Sequence, residues 1–431
     1  MTWNFHHYYT NKTEGLIGKL RLDKNEEDRL YEIRDTVRLH IRKVFEEAKK
    51  IANLSAKQRV QLNSVMLELN STELRLLSFD ERMELAQLIS QMDDETKDEF
   101  AKLSPRFWTQ GSIKYDTLNR PFHPGQEMDI DDGTYMPMVI FESEPKVGHS
   151  LLLLLVDSAL KSLVAQNDGW KFEAKQTCGR IKIAKEKIHI DVPMYAIPIE
   201  QFLQKEKAIL KANRRKHFLE AVATEDAAYE SYEVDTKSVN LALRNGEKKW
   251  LNSDPKTVED WFDLSCARIG RKHLPKVCRY MKAWRDAQWE VGGPSSICLM
   301  AAIVNVLDTQ AHDKEDLDAT MKVIADNLYK EFAKGIDSPD HSDSKPLFRP
   351  IEAHEKFENE IMAKLETLPV TLQKAEYAAS KEDALRVINS IFGNRVTNAQ
   401  LIVSKTAAPA FKDEPERSSS ASTISSTMVS G

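Results

Sequence analysis

Apolar residues recur at steps of three and four from Leu30 through Ile33, Val37, Ile41, Val44, Ala48 and Ile51. That spacing predicts one long helix over residues 24–52. Its other face carries Arg34, Arg38, Arg42 and Lys43. The basic face reads either as solvated charge or as an anion or ligand site turned toward the main body. Residues 55–103 continue as helices, and Asp93, Asp94, Glu95 and Asp98 sit near the start of a short one, where acidic groups favour the dipole. Beyond Arg106 the period falls to two. Strands are predicted near 107–111, 127–132, 136–142, 171–176, 180–184 and 188–197, with an amphipathic helix at about 147–166.

After Pro198 the chain turns helical again, with an acidic stretch at 221–236 read as a loop and Arg214-Arg215-Lys216 read as surface. Asn252-Ser253-Asp254-Pro255 caps a helix through Trp261, the proline taking its first position. Gly292-Gly293-Pro294 closes a unit containing Trp284 and Trp289, and Ser295-Ser296 opens the next helix. Helices at 313–334 and 381–392 stop at Gly335 and Gly393. From about Asp413 the chain is Ser/Thr-rich, with too little apolar surface to pack. The pattern is α+β: a small mixed sheet backed by helices, then a helical region. No βαβα series is present, so no dinucleotide-binding Rossmann unit is expected.

Candidate chemistry concentrates between Arg106 and Gly133. On a strand, Asp129 and Asp131 project to one face while Met128 and Ile130 point into a core. Two adjacent carboxylates repel. A divalent cation relieves that repulsion, and hard oxygen ligands suit Mg²⁺. An Asp-x-Asp pair alone is more often a solvated edge or turn. Its weight comes from Asp191, which stands opposite the apolar Ile188, Ile190 and Val192 in a second strand, where an unpaired carboxylate is costly. Three such aspartates on neighbouring strands make a two-metal site of the kind that moves nucleotidyl groups.

Composition narrows the rest. A chain of 431 residues holds about two domains. The formal charge of −6 argues against coating a nucleic-acid polymer, which rests on many phosphate contacts. The longest apolar run, Leu151–Val156, is far short of a bilayer span. The N-terminal residues lack a signal pattern, which gives the expectation of a cytoplasmic protein without a membrane partner. Cys178, Cys266, Cys278 and Cys298 show no CxxC spacing, and His6-His7 reads as an exposed pair without a role.

Gly111-Ser112, then Asp129-Ile130-Asp131, then Asp191 resembles the nucleotidyltransferase superfamily of polymerase β. The gap from Ser112 to Asp129 is longer than common there, which implies an inserted loop around Asn119–Gln126. The segments FWTQGSIKYDTLNRPF, EMDIDDGTYMPM, CGRIKI, HIDVPMYAIP, KAWRDAQW and GGPSS are more specific, and they are similar to cGAS/DncV-like nucleotidyltransferases from Met1 to nearly Gly431. The resemblance implies a polymerase-β-like core with N-terminal helices over 1–200, a helical domain closing the nucleotide pocket over 201–393, and a C-terminal segment over 394–431. It implies two Mg²⁺ ions, with Mn²⁺ as an alternative, on Asp129, Asp131 and Asp191. It implies nucleotide contacts from Gln110, Gly111, Ser112, Tyr115 and Arg180, and from Ser253, Lys282, Ser296 and Asp343. The implied reaction joins ATP and GTP into 3′,3′-cyclic GMP–AMP with release of pyrophosphate, in anti-phage signalling through a product-activated effector protein. It also implies conjugation at Gly431 where a ubiquitin-transfer-like partner exists. A linear oligonucleotide synthetase, another nucleotidyltransferase and a catalytically inactive nucleotide sensor remain as alternatives.

Overall fold

The computed structural model describes residues 2–58, 62–138, 140–141, 144–145, 148–199, 239–245, 249–340 and 345–405. Asp343, Gly431, the tail from Asp413, the 221–236 segment and Arg214-Arg215-Lys216 lie outside the described residues.

The sheet that positions the site contains β1 (Arg106–Gln110), β2 (Met128–Met138), β3 (Trp170–Ala174), β4 (Cys178–Ile183), β5 (Ile188–Pro198), β6 (Asn240–Ala242) and β7 (Trp250–Asn252). Its order is β7-β6-β5-β2-β1, with β4 also on β5 and β3 on β4. Only β2 and β5 run parallel; the other pairs are antiparallel. The first half of β5 pairs with β4 and the second half with β6. Where two strands were expected at 127–132 and 136–142, β2 is continuous, because β1 stays in register through Trp108 and Gly133. The short β6 and β7, in a region read as helical, carry too few residues to display a period.

Helix α1 (Lys24–Gln58) and a helix at His149–Ala165 pack on this sheet. Apolar residues from Leu30 to Ala52 interleave with Ile130, Leu155, Ile181 and Ile190 in one core. The basic face of α1 fits neither sequence expectation at Arg34 and Arg38. Arg38 is 1% exposed and grips Asp132, also 1% exposed, through Nε–Oδ2 at 2.8 Å and Nη2–Oδ1 at 2.5 Å. Arg34 donates to the Thr109 hydroxyl at 3.0 Å. These cations bind the sheet from beneath, on the face opposite Asp129 and Asp131.

A second core is helical. It joins Pro255–Ile269, α2 (His273–Gln288), α3 (Ser296–Thr309), Leu317–Lys334, Lys356–Glu376 and Lys381–Phe392. Apolar residues between Trp3 and Leu20 belong to this core, and strand Trp3–Asn4 pairs with Val403–Ser404. His6 is therefore buried, not exposed, and its Nδ1 accepts from the Leu317 amide at 3.2 Å. The helix at Lys356–Glu376 contains Pro369, which argues against a helix in sequence, yet it buries Ile361, Leu365 and Leu372. The expected cap at Asn252–Pro255 is made by Asp254, which accepts from the Lys256 amide, with Pro255 opening the helix. All four cysteines are free and buried.

Candidate active site

Strand β1 ends at Gln110, and the chain turns at Gly111 into a one-turn helix, Gly111–Lys114. Gly111 has φ +65°, and a Cβ there would lie 2.0 Å from Oδ2 of Asp131. The phosphate-loop candidate and the acidic pair are thus in contact. Sheet register does the rest. Gln110 stands opposite Asp131, Asp131 opposite Asp191, and Asp191 opposite Arg180. Asp129 stands opposite His189. Cross-strand partners share a face, so the three aspartates and His189 face one side.

Negative charge is concentrated on that face. Burial, then repulsion from Asp129 and Asp191, pushes the Asp131 carboxyl up to about 8. Asp191 is gripped by Arg180, Nε–Oδ1 at 2.6 Å and Nη2–Oδ2 at 2.7 Å. Burial alone would lower the His189 imidazole; the adjacent Asp129 carboxylate outweighs it and raises the ring above its ordinary value. His189 Nε2 lies 3.0 Å from Asp129 Oδ1. One ligand atom each of Asp129, His189 and Asp191 lies within 4.8 Å of the others. With Asp131 alongside, the donor set is oxygen-rich, as a hard divalent cation requires. The residues fit a metal ion.

A cleft of about 470 Å³ opens over this face. Of the residues expected at a nucleotide, it brings together Gly111, Ser112, Tyr115, Asp129, Asp131, Lys282 and Ser296. Its far wall is α2 and the start of α3, where Ser295 caps and Ser296 is the first residue. Burial, then the charge of Arg285, pushes the Lys282 ammonium down to about 8, and its Nζ donates to Thr117 O at 2.7 Å. Arg285 Nη1 donates to Ser296 Oγ at 2.9 Å. Tyr115 lines the cleft and packs its ring against Phe262, with centroids 5.4 Å apart.

The inserted segment is a latch between sheet and helices. Asn119 Nδ2 donates to Arg279 O at 2.8 Å, and Gln126 Nε2 donates to the carbonyls of Asp286 and Trp289, each at 2.9 Å. The two side chains line the cleft.

Other expected residues are not in the cleft wall. Gln110 is 8% exposed and donates to the Tyr135 hydroxyl at 2.9 Å, on the same sheet face as Asp131 but outside the cleft lining. Arg180 reaches the site only through Asp191. Ser253 bonds through its amide to Val239 O at 3.1 Å and precedes the cap residue. His189, Asn119, Gln126, Arg285 and Asp286 were not anticipated. Strand alternation from Asp191 could have found His189; nothing in the sequence points to the others.

Comparison with known proteins follows the same outline. A family profile described as "Cyclic GMP-AMP synthase DncV-like, nucleotidyltransferase domain" matches residues 105–195, and one described as "Cyclic GMP-AMP synthase, C-terminal domain" matches residues 271–405. The chain is 60% identical over 438 residues to a cyclic GMP-AMP synthase of Vibrio cholerae serotype O1, and the match covers 100% of both chains. It is 56% identical over 433 residues to one of Escherichia coli, again over 100% of both. The V. cholerae di-nucleotide cyclase in complex with GTP and 5MTHFGLU2 matches with a TM-score of 0.87 and 60% identity, over 94% of this chain and 99% of that one. The V. cholerae enzyme with the linear intermediate 5′ pppA(3′,5′)pG matches at 0.86 and 60%, over 94% and 99%.

Proposed function

The chain belongs to the DncV-like nucleotidyltransferases, the cyclic GMP-AMP synthase family, and from that membership we propose that it joins ATP and GTP into 3′,3′-cyclic GMP–AMP. Two successive transfers make the product. In each, a ribose 3′-oxygen forms a bond to an α-phosphorus while the α–β phosphoanhydride breaks, and pyrophosphate leaves. The observation that carries this reading is Gly111 set against Asp131, with Asp131 paired across the sheet to Asp191, beside a cleft of about 470 Å³ that Gly111, Asp129 and Asp131 line. Rotation of the linear intermediate within that cleft lets one site make both bonds.

Asp129, Asp131 and Asp191 hold two Mg²⁺ ions, or Mn²⁺ in their place. Bound there, the pair supplies activation of the attacking hydroxyl and neutralisation of the triphosphate. The chain's own residues bind and orient. Ser112 offers a hydroxyl to the phosphates, and Gly111 lets the backbone approach them. Lys282 supplies a cation whose charged form is favoured by an arriving anion. Ser296, at the start of a helix, presents a hydroxyl beside unpaired amides. Tyr115 offers a ring to a base. Arg180 acts by fixing Asp191, Gln110 by fixing the end of β1. Ser253 and Asp343 are retained as nucleotide contacts on resemblance alone.

The biological setting is part of the same proposal: a cytoplasmic enzyme in anti-phage signalling, whose product activates a separate effector protein. No described helix is long and apolar enough to cross a membrane. The functional units are the nucleotidyltransferase core and a helical domain closing the pocket, with a C-terminal segment ending in Gly431 as a point of conjugation by a ubiquitin-transfer-like partner. Asp131→Asn tests the central assignment. It removes one ligand charge and no core atom, so pyrophosphate release should all but vanish while the unfolding midpoint is kept. Turnover at the wild-type rate would sink the reading.

A further inference from the structure

The loop Gly292-Gly293-Pro294 returns the chain against α2 and delivers Ser296 to one partner. Gly293 has φ +76°, and a Cβ there would lie 2.8 Å from Trp289 Cε3 and 3.0 Å from Arg285 Cγ. The loop therefore runs hard against the stem of Arg285. It opens α3 with two serines that are used differently. Ser295 Oγ accepts from the Cys298 amide at 3.2 Å and caps the helix. Ser296 Oγ instead accepts from Arg285 Nη1 at 2.9 Å. Arg285 is held on its other edge by Asp286, whose Oδ1 accepts from Nε at 2.9 Å and from Nη2 at 2.7 Å. Asp286, Arg285 and Ser296 all line the cleft.

We propose that Arg285 is a positioning residue: locked by Asp286, it takes up one lone pair of Ser296 Oγ and so presents the hydroxyl proton to a nucleotide phosphate. The proposal rests on the reading of the cleft as a nucleotidyl-transfer site. A guanidinium donates and never accepts, whereas a serine hydroxyl has one proton and two lone pairs. With Arg285 on a lone pair, the Ser296 proton is turned away from the cation. Among the described residues, no group accepts that proton. The hydroxyl is thus set as a donor, which suits an anion. Hydrogen bonds in a chain polarise one another, so donation from a cation also strengthens the bond that Ser296 gives. Arg285 is poorly placed to serve as the phosphate's own cation. Its charge is matched by Asp286, and the two side chains are only 19% and 13% exposed. Lys282, one turn earlier on α2, lines the same wall and supplies that charge.

The test is a mutant cycle on the full-length protein, with a non-hydrolysable GTP analogue and Mg²⁺ titrated in by calorimetry. Arg285→Met with Asp286→Asn exchanges one net-neutral pair for another, so no stranded carboxylate repels the ligand. Ser296→Ala should weaken binding by about tenfold or more, the scale of one hydrogen bond to a charged group. The Arg285→Met/Asp286→Asn pair should weaken it by about threefold or more where Ser296 is present, and by less than about 1.5-fold in Ser296→Ala. An equal loss in both backgrounds makes Arg285 a direct contact or a structural prop and overturns the proposal. Unchanged affinity in Ser296→Ala, or in the pair variant, overturns it as well. If the pair variant does not fold, Arg285→Lys, which keeps the charge and loses the planar fork, takes its place in the same cycle. Wild-type protein that does not bind the analogue overturns the nucleotide reading of the cleft, and the proposal with it.

Discussion

Replacing Gly111 by alanine places one methyl group at the closest approach in the site. Its Cβ would lie 2.0 Å from Asp131 Oδ2 and 3.0 Å from Asp131 Cγ, against an optimum of about 3.5–4.0 Å between non-bonded carbons. Either the carboxylate or the turn must move. The turn cannot relax for nothing: φ is +65°, a left-handed conformation that costs a residue with a Cβ roughly 1–2 kcal/mol. Nor can the end of β1 drift, because Gln110 pairs with Asp131 in the sheet and its side chain is tied to Tyr135. Gly111→Ala should therefore lose about 1–3 kcal/mol of stability. Its transfer rate should fall by about a hundredfold or more, since a shift of about 1 Å in a positioning group costs about that much. Gly292→Ala is the comparison. Gly292 also has a positive φ, +100°, but no described atom lies within 4 Å of the Cβ it would gain. That variant bears backbone strain alone and should release pyrophosphate at the wild-type rate. Urea unfolding and pyrophosphate release from ATP and GTP with Mg²⁺ give both readouts. Gly111→Ala with the wild-type midpoint and rate would refute the contact drawn between the turn and Asp131.

Two further outcomes follow from groups beside the site. Asp132→Ala removes the buried carboxylate that pairs with the Arg38 guanidinium, so unfolding free energy should fall by about 3–5 kcal/mol. A loss below about 1 kcal/mol in urea titration would show that the pair is not shielded from water; if the alanine variant does not fold, Asp132→Asn is compared instead. Burial pushes the Glu259 carboxyl up from 4.5 to about 6, with Lys114 at 3.3 Å partly offsetting it. A carboxyl raised in the folded state holds its proton more tightly there, so its contribution is present below pH 4.5 and lost as pH rises through 6. The difference of 1.5 corresponds to about 2 kcal/mol. The stability of Glu259→Gln relative to wild type should therefore rise by about that amount between about pH 4 and pH 7. A pH-independent difference contradicts the assignment.

How much of this was legible beforehand differs from residue to residue, for physical reasons. The alternation in Met128–Asp131 and in Ile188–Val192 fixed which aspartates share a face, because strand side chains obey a period of two whatever their neighbours. The same rule, carried two residues back from Asp191, also reaches His189. The same alternation puts Asp132 on the other face; that it would be buried there against Arg38 was not legible, because a period does not say what a side chain meets. The long helix at the N-terminal end was readable from its apolar stripe. The fate of its basic face was not, since a period shows which residues point away from a stripe and not what they meet. Trp3–Leu20 joined the helical core through partners some 260 to 400 positions later, and no local pattern carries such pairing. Pro369 hid a helix that packing sustains. Lys282 and Ser296 entered through resemblance, and their arrival at the cleft depends on the latch made by Asn119 and Gln126, two neutral amides with no sequence signature.

The most direct test is the identity of the product. Purified protein is incubated with ATP, GTP and Mg²⁺, and the mixture is resolved by mass spectrometry, with nuclease digestion to define the linkage. A 3′,3′-linked cyclic GMP–AMP, formed by wild type and absent with Asp131→Asn, is the predicted result. A linear oligonucleotide as the end product, or the same product from Asp131→Asn at the wild-type rate, would contradict the account.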